Sequence, residues 1–442
     1  MIRIQRKLVR NTKMNKKIKV AVIGGGIAGL ALTTQLVKAQ HLDVHLYESA
    51  AQFSEIGAGI SFGANAVKAI HLLGLGKEYE SIADKVKAPY TDIWFQWRNG
   101  YTDEYLSASV APKVGQSSVH RADFLDTLIP LVPLSNVHFN KRVQHIDATA
   151  DQAKITFMDG QEVEYDYVIG CDGIHSVVRN HVLDSHQLPR VTPQFSGTWA
   201  YRGIIKFKDF QQAIKELAND PELFDVPQMF LGKDKHILTF PIRQGEEINI
   251  VAFKSDRTQT VLPENTPWTK SVSKQEMLED FADWSDSCQA LLNLIEAPTL
   301  WALHEIQPLE TYKNKTNNVI VIGDAAHAML PHQGAGAGQG LEDALILANL
   351  LANPQLTRET IKLVSGIYEE VRLERAVKVQ HTSHESGEIY ELYSPLYPSF
   401  EEIGAHLAHR FDWLWQHSLE QDIETATTSL QKELQQKIRM AG

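Results

Sequence analysis

The 442 residues hold 43 Lys and Arg against 54 Asp and Glu, a formal charge of −11, with 43% hydrophobic and 22% charged residues. So acidic a chain is a poor partner for a nucleic-acid backbone, and no apolar run approaches the ~20 residues of a membrane span. Two cysteines, Cys171 and Cys288, are too few and too far apart for a disulfide scaffold or a zinc site, so no metal is expected and the cytosol is the expected compartment.

Residues 1–16 begin with the basic stretch MIRIQRKLVRNTKM, which lacks the apolar core of a secretory signal and reads as a disordered extension. The run IKVAVI at Ile18–Ile23 predicts a buried strand, Ala28–Ala39 a helix and Asp43–Tyr47 a second strand. Between the first strand and the helix stands GGGIAG, which places Gly24, Gly26, Ala28 and Gly29 in a G-x-G-x-x-G turn. The first glycine permits the tight turn, the second admits a diphosphate to the backbone, and the third lets helix and strand pack closely. The second strand ends at Glu48, nineteen residues beyond Gly29, where a carboxylate accepts ribose hydroxyls. Strand, turn, helix, strand and terminal acid together predict a dinucleotide site.

Further strands are expected at Lys154–Met158, Glu162–Glu164 and Tyr165–Ile169, then a helix near Ser176–Val182. The segment DYVIGCDGIHSVVR places Asp172 and Gly173 at a strand end, with Ser176 and Arg179 on the emerging helix. From Ser196 to Phe253 the β-rich runs TWAYRGIIKF, QMFLG, HILTFPI and INIVAF, separated by turns, read as a largely antiparallel sheet inserted into the first domain. The later segment NVIVIGDAAHAMLPHQGAGAGQG gives a strand at Val319–Ile322, Asp324 at its end, then Pro331 and the alternating Gly334, Gly336, Gly338 and Gly340 before a helix at Leu341–Leu351. Such glycines let backbone N–H groups approach a flat ring. From about Thr357 to Gly442 the chain reads as helical, interrupted near Pro395 and Pro398. Its mixed charges at Glu369, Glu370, Arg372, Glu374 and Arg375 read as a solvated face.

These three motifs, in this order and spacing, resemble the single-component (group A) FAD-dependent aromatic hydroxylases. The closer resemblance, over nearly the whole chain after Lys16, is to salicylate hydroxylases (salicylate 1-monooxygenases). It is carried by EIGAGISFGANAVKAI (55–70), VGQSSVHRADFLD (114–126), VPQMFLGKDKHILTFPIR (226–243), APTLWALHE (297–305), MLPHQGAGAGQGLEDA (329–344) and RFDWLWQH (410–417). The fold expected is α/β: a Rossmann-like FAD-binding domain (17–90, 115–190 and 305–356) with an inserted, largely antiparallel β-sheet substrate domain (91–114 and 191–304) and a helical C-terminal region (357–442). The resemblance implies FAD held tightly by Gly24–Gly29, Glu48, Arg121, Asp172, Gly173, Asp324 and the Pro331–Gly338 loop, with NADH as a transient co-substrate also meeting Asp172-Gly173. The implied reaction converts salicylate, NADH and O₂ to catechol and CO₂ through a flavin hydroperoxide, in a monomer or homodimer. The alternatives are hydroxylation of another ring, such as a hydroxynicotinate or hydroxybenzoate, or a FAD reductase or binding protein that hydroxylates nothing. His332, after Pro331, is the candidate base or phenolate-orienting group. Met229 and Phe253 are candidate walls of the ring pocket, with Trp199 and Tyr201 beside them, and either Arg243 or Arg257 is the candidate carboxylate partner.

Overall fold

A computed structural model describes residues 16–53, 59–86, 88–215, 217, 223 and 226–441. The extension expected at 1–16 therefore lies, but for its last residue, outside the described residues. Ile18–Ile23 forms the centre of a five-stranded parallel sheet in the order 319–321, 167–170, 18–23, 42–47, 137–138. Val20, Ala21 and Val22 are fully buried, as expected of a parallel strand covered on both faces. The register pairs Ile23 with both Gly170 and Tyr47, and Gly170 with Val321. Four strands thus end level with one another, and the segments that follow them leave from the same edge.

The β-rich middle of the chain, with 93–110, builds an eight-stranded sheet in the order 269–271, 299–305, 194–206, 247–255, 235–242, 228–232, 93–99, 105–110. Every neighbouring pair is antiparallel except 228–232 with 93–99. Cross-strand partners share a face, because side chains alternate along a strand. Arg202 pairs with Val251, Val251 with Leu238, Leu238 with Met229 and Met229 with Trp97, making one transverse row. Ala200, Phe253 and His236 form the next row. Trp199 and Tyr201 fall on the opposite face, packed among Phe281, Met277 and Trp284, so they wall no pocket on the Arg202 side.

The C-terminal region is helical over Leu363–Tyr390, Phe400–Leu407, Asp412–Trp415 and Leu419–Ala441. Here the expected solvated face needs correction. Arg372 is fully buried and Arg375 nearly so. Arg372 donates from Nε to Asp343 (2.8 Å) and from Nη1 to Glu342 (2.6 Å), and Arg375 donates from Nε to Glu342 (2.7 Å). Both acids sit in the largely apolar helix Gly336–Leu351 and have no exposure. Burial alone raises the Glu342 carboxyl, but Arg372 and Arg375 outweigh it and hold it at about 2. Charges with this periodicity read as solvent-facing until their partners on a distant helix are known.

Removing one member of such a cluster leaves buried charge without compensation. Arg372→Met is expected to cost roughly 3–5 kcal/mol of stability by denaturant unfolding. Glu370→Ala, on the same helix but away from the cluster, should change it by under about 0.5 kcal/mol.

Candidate active site

A cavity of about 540 Å³ opens where the parallel strands end. The first turn contributes Gly24, Gly26, Ala28 and Gly29 to its wall, the second strand Glu48, and the helix Arg121–Leu128 its first residue, Arg121. Asp172 and Gly173 come from the second turn, and Asp324, Pro331, Gly334 and Gly336 from the third. The structure therefore brings together residues up to 312 positions apart, Gly24 to Gly336, at one place. Gly338 stands apart. The helix expected at Leu341 already begins at Gly336, and a Cβ at Gly338 would lie 2.8 Å from that of Ala66. Gly338 serves helix packing rather than the cavity lining.

Local chemistry fixes each wall. Gly24 has φ +107°, and a Cβ there would lie 2.2 Å from the Cys171 carbonyl oxygen, so this turn admits only glycine. A Cβ at Gly26 would meet nothing within 4 Å, which leaves open space between the backbone and the cavity. The helix Ile27–Leu36 has neither a side-chain cap nor an acid in its first turn. Its free N–H groups and positive dipole end face the opening. Glu48 accepts from the N–H of Gly25 (2.8 Å) and of Ala50 (2.7 Å), which orients the carboxylate while leaving lone pairs for hydroxyl donors. Asp172 accepts from the N–H of Val177 (2.7 Å), so its carboxylate caps the helix Val177–His186.

Of three side chains outside the expected set, two hold the turns in register and a third lines the cavity. Arg179 donates to the carbonyls of Ile174 (2.6 Å) and Ala325 (3.1 Å), tying the second turn to the third. Asp343 accepts from the Gly323 N–H (2.9 Å) and lies 2.6 Å from His327 Nε2, fixing the residues on either side of Asp324. Arg202 lines the cavity with its guanidinium over Trp301 at 4.8 Å, and its Nε is buried without a hydrogen-bond partner among the described residues. Burial, with Arg121 nearby, lowers the Arg202 guanidinium to about 10. Two cations facing one cavity favour an anionic occupant. The signal for Arg202 was the strict alternation in TWAYRG, which puts it on the face opposite Trp199 and Tyr201.

The far end of the cavity is mostly apolar: Leu238, Phe240, Val251 and Phe253 lie on the inner sheet face, with Asn249 opposite Phe240 and Arg202 opposite Val251. It adjoins a chamber of about 30 Å³ lined by Met229, Trp97, Tyr390 and His332, and the two share Ser61, Leu238, Pro331 and Gly334 as walls. His332 is buried, and burial with His236 close by pushes its imidazole down to about 3, so it is neutral at pH 7. Arg243 and Arg257 line neither space. Arg243 has φ +53° on a hairpin turn and lies 3.5 Å from Glu247. Arg257 donates to Glu391 (2.5 Å) and Asp234 (3.2 Å). An ion-paired guanidinium outside the cavity does not supply the expected carboxylate contact, so both candidates are withdrawn on geometry.

The model of the FAD binding domain family matches residues 17–383. Two salicylate hydroxylases of Pseudomonas putida are each 47% identical to this chain, over 425 and 433 residues that cover 96% and 97% of it and 97% and 99% of theirs. A 6-methylsalicylate 1-monooxygenase of Aspergillus terreus is 36% identical over 421 residues, 92% of this chain and 91% of its own. The solved structure of a salicylate hydroxylase substrate complex superposes with a TM-score of 0.87 at 43% identity, covering 93% of this chain and 98% of that one. The chain belongs to the salicylate hydroxylase family of FAD-dependent monooxygenases.

Membership makes FAD the cofactor, and the cavity fits it. The open backbone at Gly26 and the uncapped helix behind it suit a diphosphate, Glu48 suits a ribose, and the glycine turn at 334–336 leaves a flat ring room beside the apolar end. Among the described residues no helix is long and apolar enough to cross a membrane.

Gly26→Val is expected to leave the fold intact, because the new side chain meets no protein atom at its Cβ, yet to abolish FAD binding. Circular dichroism unchanged with flavin absorbance lost is the expected pair of readings. Retained FAD would remove Gly26 from the cofactor site.

Proposed function

We propose that this chain hydroxylates and decarboxylates salicylate to catechol in the cytosol, taking electrons from NADH and oxygen from O₂. The observation that carries this reading is the single apolar space of Leu238, Phe240, Val251 and Phe253, bounded by the Pro331–Gly334 turn that also borders the FAD cavity. A small aromatic acid lying there is within reach of both the cofactor and His332. Bound FAD supplies the two-electron chemistry with nicotinamide and the activation of O₂ that no side chain supplies. The protein's part is to bind, orient and shield.

The inner sheet face holds the ring flat against an apolar wall and excludes water, which strengthens every charge interaction inside. His332 is neutral, and because its imidazolium is held down near 3 it can take the phenol proton only by giving up its own ring proton in the same step. Met229, buried beside Trp97 and Leu238, gives the wall a polarizable and adaptable surface. The uncapped end of helix Gly336–Leu351, whose first residues line the cavity, would favour negative charge on a group bound there.

Single turnover under ¹⁸O₂ is expected to give catechol carrying one labelled oxygen and one equivalent of CO₂; a product that keeps its carboxylate points to a different ring. His332→Ala should retain FAD but lower product formed per turnover by about 100-fold or more, with NADH oxidation diverted to peroxide. Normal coupling in that variant would exclude His332 from the reaction. A separate pH effect follows from the depressed imidazole. Unfolded His332 protonates below about 6.5 and folded His332 only near 3, so folding stability falls as pH drops through that window. Unfolding midpoints at pH 7 and pH 5 should differ less for His332→Ala than for the unsubstituted chain.

A further inference from the structure

His332 is buried beside the cavity, and a proton taken there needs somewhere to rest. Behind it lies a second histidine that no step has yet used. His236 is fully buried, stacks on Phe253 with ring centroids 4.1 Å apart, and has its ring 5.2 Å from that of His332. Its Nδ1 is 3.0 Å from Glu391 Oε1. Glu391 is equally buried, and its other oxygen accepts from Arg257 at 2.5 Å. A carboxylate only accepts, so His236 carries its proton on Nδ1 and leaves Nε2 as a free acceptor. That Nε2 is buried with no hydrogen-bond partner among the described residues, and so is Nδ1 of His332. Two adjacent imidazoles each present an unsatisfied nitrogen, not hydrogen-bonded to each other in this structure, so a small ring rotation has to bring Nδ1 of His332 onto Nε2 of His236 before a proton passes. The second nitrogen of His332, Nε2, lies beside Gly387, where a Cβ would come within 2.7 Å, so glycine there leaves it room.

We propose that His236 and Glu391 form a proton-holding relay behind His332. The inference rests on the reading of His332 given above. The O–H bond of the bound phenol breaks, its electron pair stays on the oxygen, and its proton goes to Nε2 of His332. His332 passes the proton on its Nδ1 to Nε2 of His236. Glu391 balances the resulting imidazolium through the Nδ1–H bond, as the acid of a hydrolytic triad does. Once the ring has been oxygenated, the proton returns along the same path to the product oxygen. No oxidant or reductant is consumed. His236 and Glu391 touch neither substrate nor cofactor and act through His332.

Burial lowers the His236 imidazole as well, but Glu391 opposes that shift through its hydrogen bond, whereas burial and His236 push His332 down to about 3, so of the two rings His236 is the better holder of the proton. Burial raises the Glu391 carboxyl, but His236 and Arg257 outweigh it and hold it at about 2, so it stays an anion throughout. Besides Glu391, the titratable and charged groups near His236 are His332 from the Pro331–Gln333 turn, Tyr390 from the long helix at 5.4 Å between rings, and Arg257 with its partner Asp234; His384, which lies 2.8 Å from Glu305, acts on His332. Among the described residues, only Glu391 contacts His236 by a hydrogen bond.

The test is single-turnover hydroxylation of salicylate by the FAD-loaded enzyme as a function of pH, with the unsubstituted chain, Glu391→Gln and His236→Phe. Flavin content and unfolding temperature report on folding. The relay predicts that both variants keep FAD and lose about 10–100-fold in hydroxylation rate at pH 7, the size of loss seen when a supporting hydrogen-bond partner is removed. The deficit should shrink as pH rises, because solvent then removes the proton directly. A profile superimposable on that of the unsubstituted chain, or a loss of equal size at every pH, overturns the relay. If either variant fails to fold, the unsubstituted enzyme still decides the question in mixtures of H₂O and D₂O. Two protons in motion give a curved dependence of rate on deuterium fraction, and a straight line overturns the proposal. Absence of any oxygenated product from the unsubstituted enzyme would instead overturn the functional reading on which the relay rests.

Discussion

Ile23, Gly170, Val321 and Tyr47 stand level at one edge of the parallel sheet, and this register is what the rest of the molecule depends on. Because those strands end together, Gly24, Glu48, Asp172 and Asp324 emerge within a few residues of the same edge. In an open α/β sheet, ligands bind in the crevice beyond the carboxyl ends of the strands. A one-strand slip would send each motif to a different place while leaving every local turn intact. The runs at 18–23, 167–170 and 319–321 act on function by pairing in this one register through their parallel hydrogen-bond ladders.

The third turn needs more than register. Asp343 is the hinge of that support: it takes the Gly323 N–H on one side, His327 beside it, and Arg372 on the other. Burying two acids and two arginines is expensive, and a well-packed apolar cluster would be as stable or more so. What a charged cluster adds is direction, because a bidentate guanidinium tolerates little rotation of its partner. The long helix Leu363–Tyr390 therefore works at both its ends. Arg372 and Arg375 steady the cofactor turn near its start, while Gly387, Tyr390 and the following Glu391 close the chamber behind His332.

Much of this arrangement was legible in the residues. The strand-turn-helix pattern of Ile18–Leu36, the acid at Glu48 and the strand-end aspartates are short-range signals, and with the family resemblance, which alone supplied Arg121, they gave thirteen cofactor positions, of which twelve line one cavity. Gly338 misled because alternating glycines look alike whether they face a ligand or a neighbouring helix; only the position of Ala66 separates the cases. Arg243 and Arg257 misled because a guanidinium's partner is a matter of long-range contact, and Glu391 lies 134 residues from Arg257. Arg372 and Arg375 were hidden for the same reason, as was the His236–Glu391 pair, separated by 155 residues. Arg202 was accessible from strand alternation, but nothing in the local pattern says which face of a sheet will meet a cavity.

The central claim is that one cavity holds FAD and, at its apolar end, a small aromatic acid that the cofactor can sense. Anaerobic rapid mixing of the FAD-loaded protein with NADH, with and without salicylate, addresses it most directly through the loss of yellow flavin absorbance. The account predicts full bleaching that salicylate markedly accelerates. Bleaching at the same rate with and without salicylate, or no bleaching at all, would contradict it.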